Sequence, residues 1–90
     1  MEKEILKMAI EQLNAIADDM YKGEINQGMA SMVEVIPIIA EISGELSQEQ
    51  QDEFVNDALK PALEAMEDKD GTTLADIISY EIVPVLEGLR

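Results

Sequence analysis

The chain contains no cysteine and no histidine. Without cysteine, neither a disulfide framework nor a thiolate metal site can form. Without histidine, the chain lacks the commonest general base and the commonest ligand for transition metals. Helical bundles that bind metals with carboxylates use Glu-x-x-His pairs, and the apolar stripes described below contain almost no Asp or Glu. The sequence therefore predicts no catalytic residues, no metal ligands and no cofactor.

Basic residues are also scarce. The chain has 6 Lys and Arg against 20 Asp and Glu, which gives a formal net charge of −14. Nucleic-acid affinity comes largely from basic residues that neutralise phosphates, and anionic membranes attract basic segments, so this charge disfavours both partners. A basic protein surface is compatible with it. A simpler interpretation is that acidic surfaces keep a small protein soluble.

Long hydrophobic runs are absent. The longest apolar stretch extends from Val35 to Ala40 and is far too short to span a bilayer. The first residues, Met1 to Lys7, are charged and amphipathic and lack the apolar core of a signal peptide. The sequence therefore predicts a cytoplasmic protein.

Apolar residues instead recur at helical spacing along the whole chain. The predicted core stripe of the first helix is Leu6, Ile10, Leu13, Ala17 and Met20, and that of the third is Val55, Leu59, Ala62 and Met66, with Phe54 and Leu63 alongside. The pattern predicts four helices at about residues 2–22, 24–44, 48–68 and 73–88. Gly23 is placed to end the first helix in the left-handed conformation. Ser47 with Gln50 forms a capping box for the third helix, and Thr73 with Asp76 forms a second candidate box.

Three prolines, Pro37, Pro61 and Pro84, lie inside apolar segments that have helical spacing. Each proline removes a backbone hydrogen bond and clashes with a carbonyl, which favours a kink and frees the carbonyls of Val33, Asp57 and Tyr80. Short turns between helices favour antiparallel neighbours. The predicted fold is all-α, a single domain over residues 1–90, built as an antiparallel up-down four-helix bundle with proline-kinked helices.

The second helix is unusually apolar between residues 33 and 42. Val35, Ile38 and Ile42 extend beyond the regular stripe and need to be covered. Two explanations remain open. The kink at Pro37 turns these side chains inward, or they form a self-association surface in a homodimer.

Four residues near the C-terminus form a candidate partner-binding site: Asp76, Tyr80, Glu81 and Pro84. Asp76, Tyr80 and Pro84 follow i, i+4, i+8 spacing and share one helix face. Asp76 is placed to accept a hydrogen bond from the Tyr80 hydroxyl. The alternative is structural, namely a kinked helix held by a partly buried Tyr80, for which Tyr80→Ala would cost about 1–3 kcal/mol.

The segment from Asp70 to Leu86 resembles a family of small helical proteins of unknown function from Gram-positive bacteria. Their C-terminal signature is approximately D-x-L-A-D-[IL]-L-x-Y-E-[IL]-x-P-x-L, matched here by Leu74-Ala-Asp-Ile-Ile-Ser-Tyr-Glu-Ile-Val-Pro-Val-Leu86. Members often carry an aromatic residue near the C-terminus, whereas this chain ends Glu87-Gly-Leu-Arg90. The resemblance implies a helical fold in the bacterial cytoplasm and, for some members, an association with motility or flagellin-modification loci. It implies no activity.

The leading functional hypothesis is a non-enzymatic, acidic helical protein that binds another protein, as an accessory or chaperone-like factor, and self-associates. The alternative is an antitoxin-like inhibitor whose acidity mimics nucleic acid and occupies a basic site. That alternative requires carboxylates concentrated on one face, yet acidic residues occur in all four predicted helices.

Overall fold

The computed structural model describes residues 3–89, and this part of the chain is helical with no strand. Four helices are present, here named α1 to α4. Their bounds are α1 Lys3–Tyr21, α2 Ile25–Ser43, α3 residues 48–67 and α4 residues 71–88. These bounds lie within two residues of the predicted ones. The predicted start of the first helix at residue 2 lies outside the described residues.

The end of α1 has the geometry predicted for Gly23. Its φ is 84°, a left-handed value that costs glycine little. The Gly23 amide donates to the Met20 carbonyl at 3.1 Å and the Glu24 amide donates to the Asp19 carbonyl at 2.8 Å, the paired bonds of a Schellman motif. The end of α3 has the same two bonds, but its left-handed residue is Lys69, with φ 54°.

The capping box at the start of α3 is confirmed. The Gln50 amide donates to Ser47 Oγ at 3.2 Å, and the Ser47 amide donates to Gln50 Oε1 at 3.3 Å. The box predicted for α4 is wrong, because the helix begins at Gly71 and its N-cap is Asp70. The Asp70 carboxylate accepts from the Thr73 amide at 3.2 Å and from the Thr73 hydroxyl at 2.6 Å. The hydroxyl bond lowers the pKa of Asp70.

The prolines do not all have the same structural setting. Pro37 lies inside an uninterrupted α-helix, whereas Pro61 and Pro84 each follow a π turn. A π turn widens the helix by one residue, which relieves the clash between a proline ring and the carbonyl one turn earlier. α3 consists of Gln48–Phe54, the π turn Val55–Leu59 and Lys60–Glu67; α4 consists of Gly71–Ile77, the π turn Ile78–Ile82 and Val83–Gly88.

The π turns also change which carbonyls lose their donors. The Val83 amide donates to the Ile78 carbonyl, five residues back. The Ser79 carbonyl therefore loses its usual α-helical donor, and the Tyr80 carbonyl loses its own because Pro84 has no N–H. In α3 the Lys60 amide donates to the Val55 carbonyl in the same way, so the Asn56 carbonyl loses its α-helical donor. The Asp57 carbonyl loses its own because Pro61 has no N–H. The sequence alone predicts only one carbonyl without a helical donor for each proline.

The core lies between α1 and its two neighbours, α2 and α4, and α3 packs along α4 with the two π turns in contact. α1 buries the predicted stripe: Leu6, Ile10, Leu13, Ala17 and Met20. α3 buries Phe54, Ala58, Ala62 and Ala65, while the predicted core residues Val55, Leu59 and Met66 are only partly buried. The predicted Ala62 is buried, whereas the other buried residues of α3 each lie one position before the predicted ones.

Most of the additional apolar side chains of α2 are covered within the chain. Val35 and Ile42 are buried in the core of the chain itself, and Ile38 is partly buried against it. Val35 and Ile42 therefore have partners within the chain, and the prediction that they form a self-association surface is wrong. For Ile38, which keeps part of its surface exposed, self-association stays a prediction.

Candidate functional site

An acidic groove lies between the first half of α3 and the second half of α4. It has a volume of about 350 Å³, and residues of both π turns line it. Its lining residues are Leu46, Gln50, Glu53, Phe54, Asp57, Ala58, Glu81, Pro84, Val85, Gly88 and Leu89. π turns frequently occur at functional sites, so their position beside this groove makes it the leading candidate on the described chain.

The floor of the groove is apolar. Phe54 and Ala58 are buried beneath it, and Leu46, Val85 and Leu89 are partly buried around it. Phe54 is the only phenylalanine in the chain. The accessible parts of Leu46, Val85 and Leu89 above this floor provide a contact surface for an apolar side chain of a partner.

The rim of the groove is acidic. Glu53 and Asp57 are exposed and stand one turn apart on α3, and Glu81 is exposed on α4. None of the described lining residues is basic. Within residues 3–89, no three acidic side chains converge closely enough to hold a metal ion.

The predicted partner-binding residues divide between two surfaces. Glu81 and Pro84 line the acidic groove. Asp76 lies elsewhere, because its Oδ1 accepts a hydrogen bond from the Tyr21 hydroxyl at 2.7 Å. Tyr80 is 73% exposed and does not line the groove. The hydrogen bond to Asp76 therefore comes from Tyr21 and not, as predicted, from Tyr80. The prediction that Tyr80 is partly buried is also wrong.

Tyr21 is the contact that sequence reasoning missed. It is the last residue of α1, and Asp76 lies 55 positions later on α4. The hydrogen bond to Asp76 is the main cause that raises the pKa of the Tyr21 hydroxyl above its ordinary value. No local spacing links the two residues, so only the packing of α1 against α4 could have revealed the pair.

Two buried glycines, Gly28 on α2 and Gly71 on α4, allow α1, α2 and α4 to approach closely at this end of the molecule. A side chain at Gly28 would collide with Met20, and one at Gly71 would collide with Ile25. The side chain of Met20, at the end of α1, therefore fills the space that both glycines leave. This close packing holds Tyr21, the next residue, beside α4.

Comparison with known proteins identifies the family. A family model described as a domain of unknown function, DUF8042, matches residues 3–90. The chain belongs to the DUF8042 family. No curated protein and no solved structure matches the chain. Each helix within residues 3–89 is too short or too polar to cross a membrane.

Proposed function

We propose that this protein is a non-enzymatic, accessory or chaperone-like factor that binds a basic amphipathic segment of another protein in the acidic groove. The combination of an apolar floor with three carboxylates on the rim carries the proposal. The segment places one large apolar side chain over Phe54 and directs Lys or Arg toward the rim. Such an arrangement uses the floor for affinity and the rim for orientation.

The charge of the whole chain supports a basic partner. With a net charge of −14, the protein attracts cationic surfaces over a distance set by ionic strength. At the groove, Glu53 and Asp57 on one wall and Glu81 on the other provide acceptors on both sides of a bound segment. Binding is therefore expected to weaken as salt is added.

The π turn of α3 supports the same partner chemistry. Among the residues whose carbonyls have lost their α-helical donors, Asp57 is the one that lines the groove. Carbonyl groups that lack a helical donor need another hydrogen-bond donor, and Lys and Arg supply several. Asp57 belongs to both this set and the rim.

We also propose the finer architecture on which this site depends, an antiparallel up-down bundle bent at its prolines. Connections of three or four residues, at 22–24, 44–47 and 68–70, support it. The bond from Tyr21 to Asp76 supports it too, because it joins the end of α1 to the early part of α4. Residual dipolar couplings measure helix directions and bends, and parallel neighbouring helices would contradict the arrangement.

The cellular setting is part of the proposal: a bacterial cytoplasmic protein that, like some members of the resembled family, serves motility. The nucleic-acid mimic receives no support from the geometry, since exposed carboxylates occur on all four helices, as at Glu11, Glu41, Asp52 and Glu81.

A fluorescent helical peptide with leucine on one face and lysine on the other tests the groove. Its dissociation constant is measured by anisotropy for the wild-type protein and for the triple variant Glu53→Gln, Asp57→Asn, Glu81→Gln. Three exposed charge pairs at about 0.2–1 kcal/mol each predict binding weaker by roughly 3- to 150-fold. The effect should shrink as salt rises.

The matched control removes three exposed carboxylates outside the groove, with Glu11→Gln, Glu34→Gln and Glu41→Gln. It changes net charge equally and should weaken the peptide much less. Equal losses in the two triple variants would mean that the peptide responds to total charge alone, and the groove would then have no special role.

A further inference from the structure

The two tyrosines of the chain lie together on a surface that does not belong to the groove. Tyr21, at the end of α1, and Tyr80, in the π turn of α4, are each more than half exposed. Asp76 links them, because it accepts the hydrogen bond from the Tyr21 hydroxyl and stands one turn before Tyr80 on α4. Asp76 is the main cause that raises the pKa of the Tyr21 hydroxyl, and Ser79 and Tyr80 also affect it, which places all four side chains in one small area. We call Tyr21, Asp76, Ser79 and Tyr80 the tyrosine patch.

The tyrosine patch offers hydrogen-bond acceptors and aromatic faces to a partner. A carboxylate can accept several hydrogen bonds, so the single bond from Tyr21 leaves Asp76 able to accept others. The backbone carbonyls of Ser79 and Tyr80 have lost their α-helical donors at the π turn, and such groups need another donor. The face of an aromatic ring carries the negative part of its quadrupole, which attracts cations. A cation with several N–H donors therefore fits the patch.

The charges around the tyrosine patch also favour a cation. All charged residues of α4, within 71–88, are acidic. The lysines nearest to the patch residues in the sequence, Lys22 and Lys69, have acidic neighbours of their own. Lys22 Nζ lies 2.9 Å from Asp18 Oδ2, and Lys69 stands between two aspartates in the turn before α4. Neither lysine therefore adds an unbalanced positive charge beside the patch, and the net charge of −14 attracts a basic ligand.

We propose that the tyrosine patch is a second interaction surface, and that its occupant is an arginine side chain of a partner protein. A guanidinium is planar, stacks on aromatic faces and carries five N–H donors in a fixed fork, so one arginine can lie against a tyrosine ring and donate to Asp76 at the same time. Lysine concentrates its charge on a compact, strongly hydrated ammonium and uses this arrangement less well. None of the four patch residues lines the groove, so the proposal does not depend on the groove.

A short glycine–serine peptide that carries three arginines tests the patch with the full chain. It has no apolar side chain for the floor of the groove, and a lysine peptide of the same length matches its charge. Amide chemical-shift mapping locates each peptide, and the shifts give its dissociation constant. We expect the largest shifts at Tyr21, Asp76 and Tyr80, and tighter binding of the arginine peptide than of the lysine peptide.

Tyr80→Ala removes one ring and should weaken binding of the arginine peptide by about 2- to 5-fold, as for loss of an exposed cation–π contact. Tyr80→Phe keeps the ring and should keep most of the affinity. Met8→Ala is the matched control, because it truncates a side chain that is 65% exposed on α1, outside the patch, and it should leave the affinity unchanged. Circular dichroism verifies that the variants remain helical, as exposed sites should allow.

Equal affinities for the arginine and lysine peptides would overturn the proposal, as would equal effects of Tyr80→Ala and Met8→Ala. Shifts centred on Phe54 and Val85 would place the arginines in the groove. That result would overturn the patch proposal while it supported the groove, so the two proposals can fail separately.

Discussion

Phe54 is the residue whose removal tests the packing of α3 most clearly. The other buried residues of that helix are Ala58, Ala62 and Ala65, so Phe54 supplies its only large, fully buried side chain. It is 4% exposed and also forms the floor of the acidic groove. Phe54→Ala should therefore loosen α3 and enlarge the groove together.

The expected cost of Phe54→Ala follows from the size of the side chain and from its position. Truncation of a buried phenylalanine to alanine costs about 3–5 kcal/mol. The groove beside Phe54 lets water and neighbouring side chains reach the space, which places the cost near the lower end, at about 3 kcal/mol. A domain of 90 residues has roughly 5–13 kcal/mol of stability, so the loss is a large share of the total.

Urea unfolding followed by circular dichroism measures this loss, and thermal unfolding should show a Tm lower by roughly 12–24 °C. Tyr80→Ala is the matched control, because it removes an aromatic ring of similar size that is 73% exposed. It should change the free energy of unfolding by no more than about 0.5 kcal/mol. This replaces the cost of about 1–3 kcal/mol expected from the sequence.

Equal losses for Phe54→Ala and Tyr80→Ala would refute this reasoning. So would a loss of several kcal/mol for Tyr80→Ala alone, because the ring would then have to be buried. Hydrogen exchange adds a local readout, in which the amides of α3 should lose more protection than those of α1 in Phe54→Ala.

Three further predictions concern the helix ends and the junction between α1 and α4. Lys69→Gly should raise the free energy of unfolding by about 0.5–1 kcal/mol in a urea titration, because Lys69 has a left-handed φ of 54°. Gly71→Ala should lower it by about 1–3 kcal/mol, since the added methyl group collides with neighbouring side chains, and an unchanged midpoint would show that they move aside freely. In a Tyr80→Phe background, where Tyr21 is the only tyrosine, absorbance titration should give a pKa above the ordinary value, and Asp76→Asn should lower it. Because the folded-state pKa is raised, the Tyr21 bond contributes stability below the unfolded tyrosine pKa and loses it as pH rises through the folded one.

Much of the fold could be predicted from the sequence because local signals control it. The apolar stripe of α1, the left-handed Gly23 and the capping box at Ser47 all depend on residues within a few positions of one another. These features agree with the structure. The predicted start of α4, residue 73, is two residues later than the observed start at Gly71, because Asp70 and not Thr73 caps the helix.

The candidate site was harder to predict because it depends on helix phase and on distant contacts. The buried face of α3 contains Phe54 and Ala58, each one position before the predicted Val55 and Leu59. The pairing of Tyr21 with Asp76 joins residues that no spacing rule connects. Glu81 and Pro84, predicted to bind a partner, line the groove, but the sequence gives no sign of the α3 wall opposite them.

The central claim is that a basic amphipathic segment binds between α3 and α4. Amide chemical-shift mapping during titration with the leucine–lysine helical peptide tests it most directly, because it locates the bound peptide on the folded chain. We expect the largest shifts around Phe54, Asp57, Glu81 and Val85, with little change at Val33 and Leu63, which do not line the groove. Shifts spread evenly over acidic residues of all four helices, or concentrated outside the groove, would contradict the account.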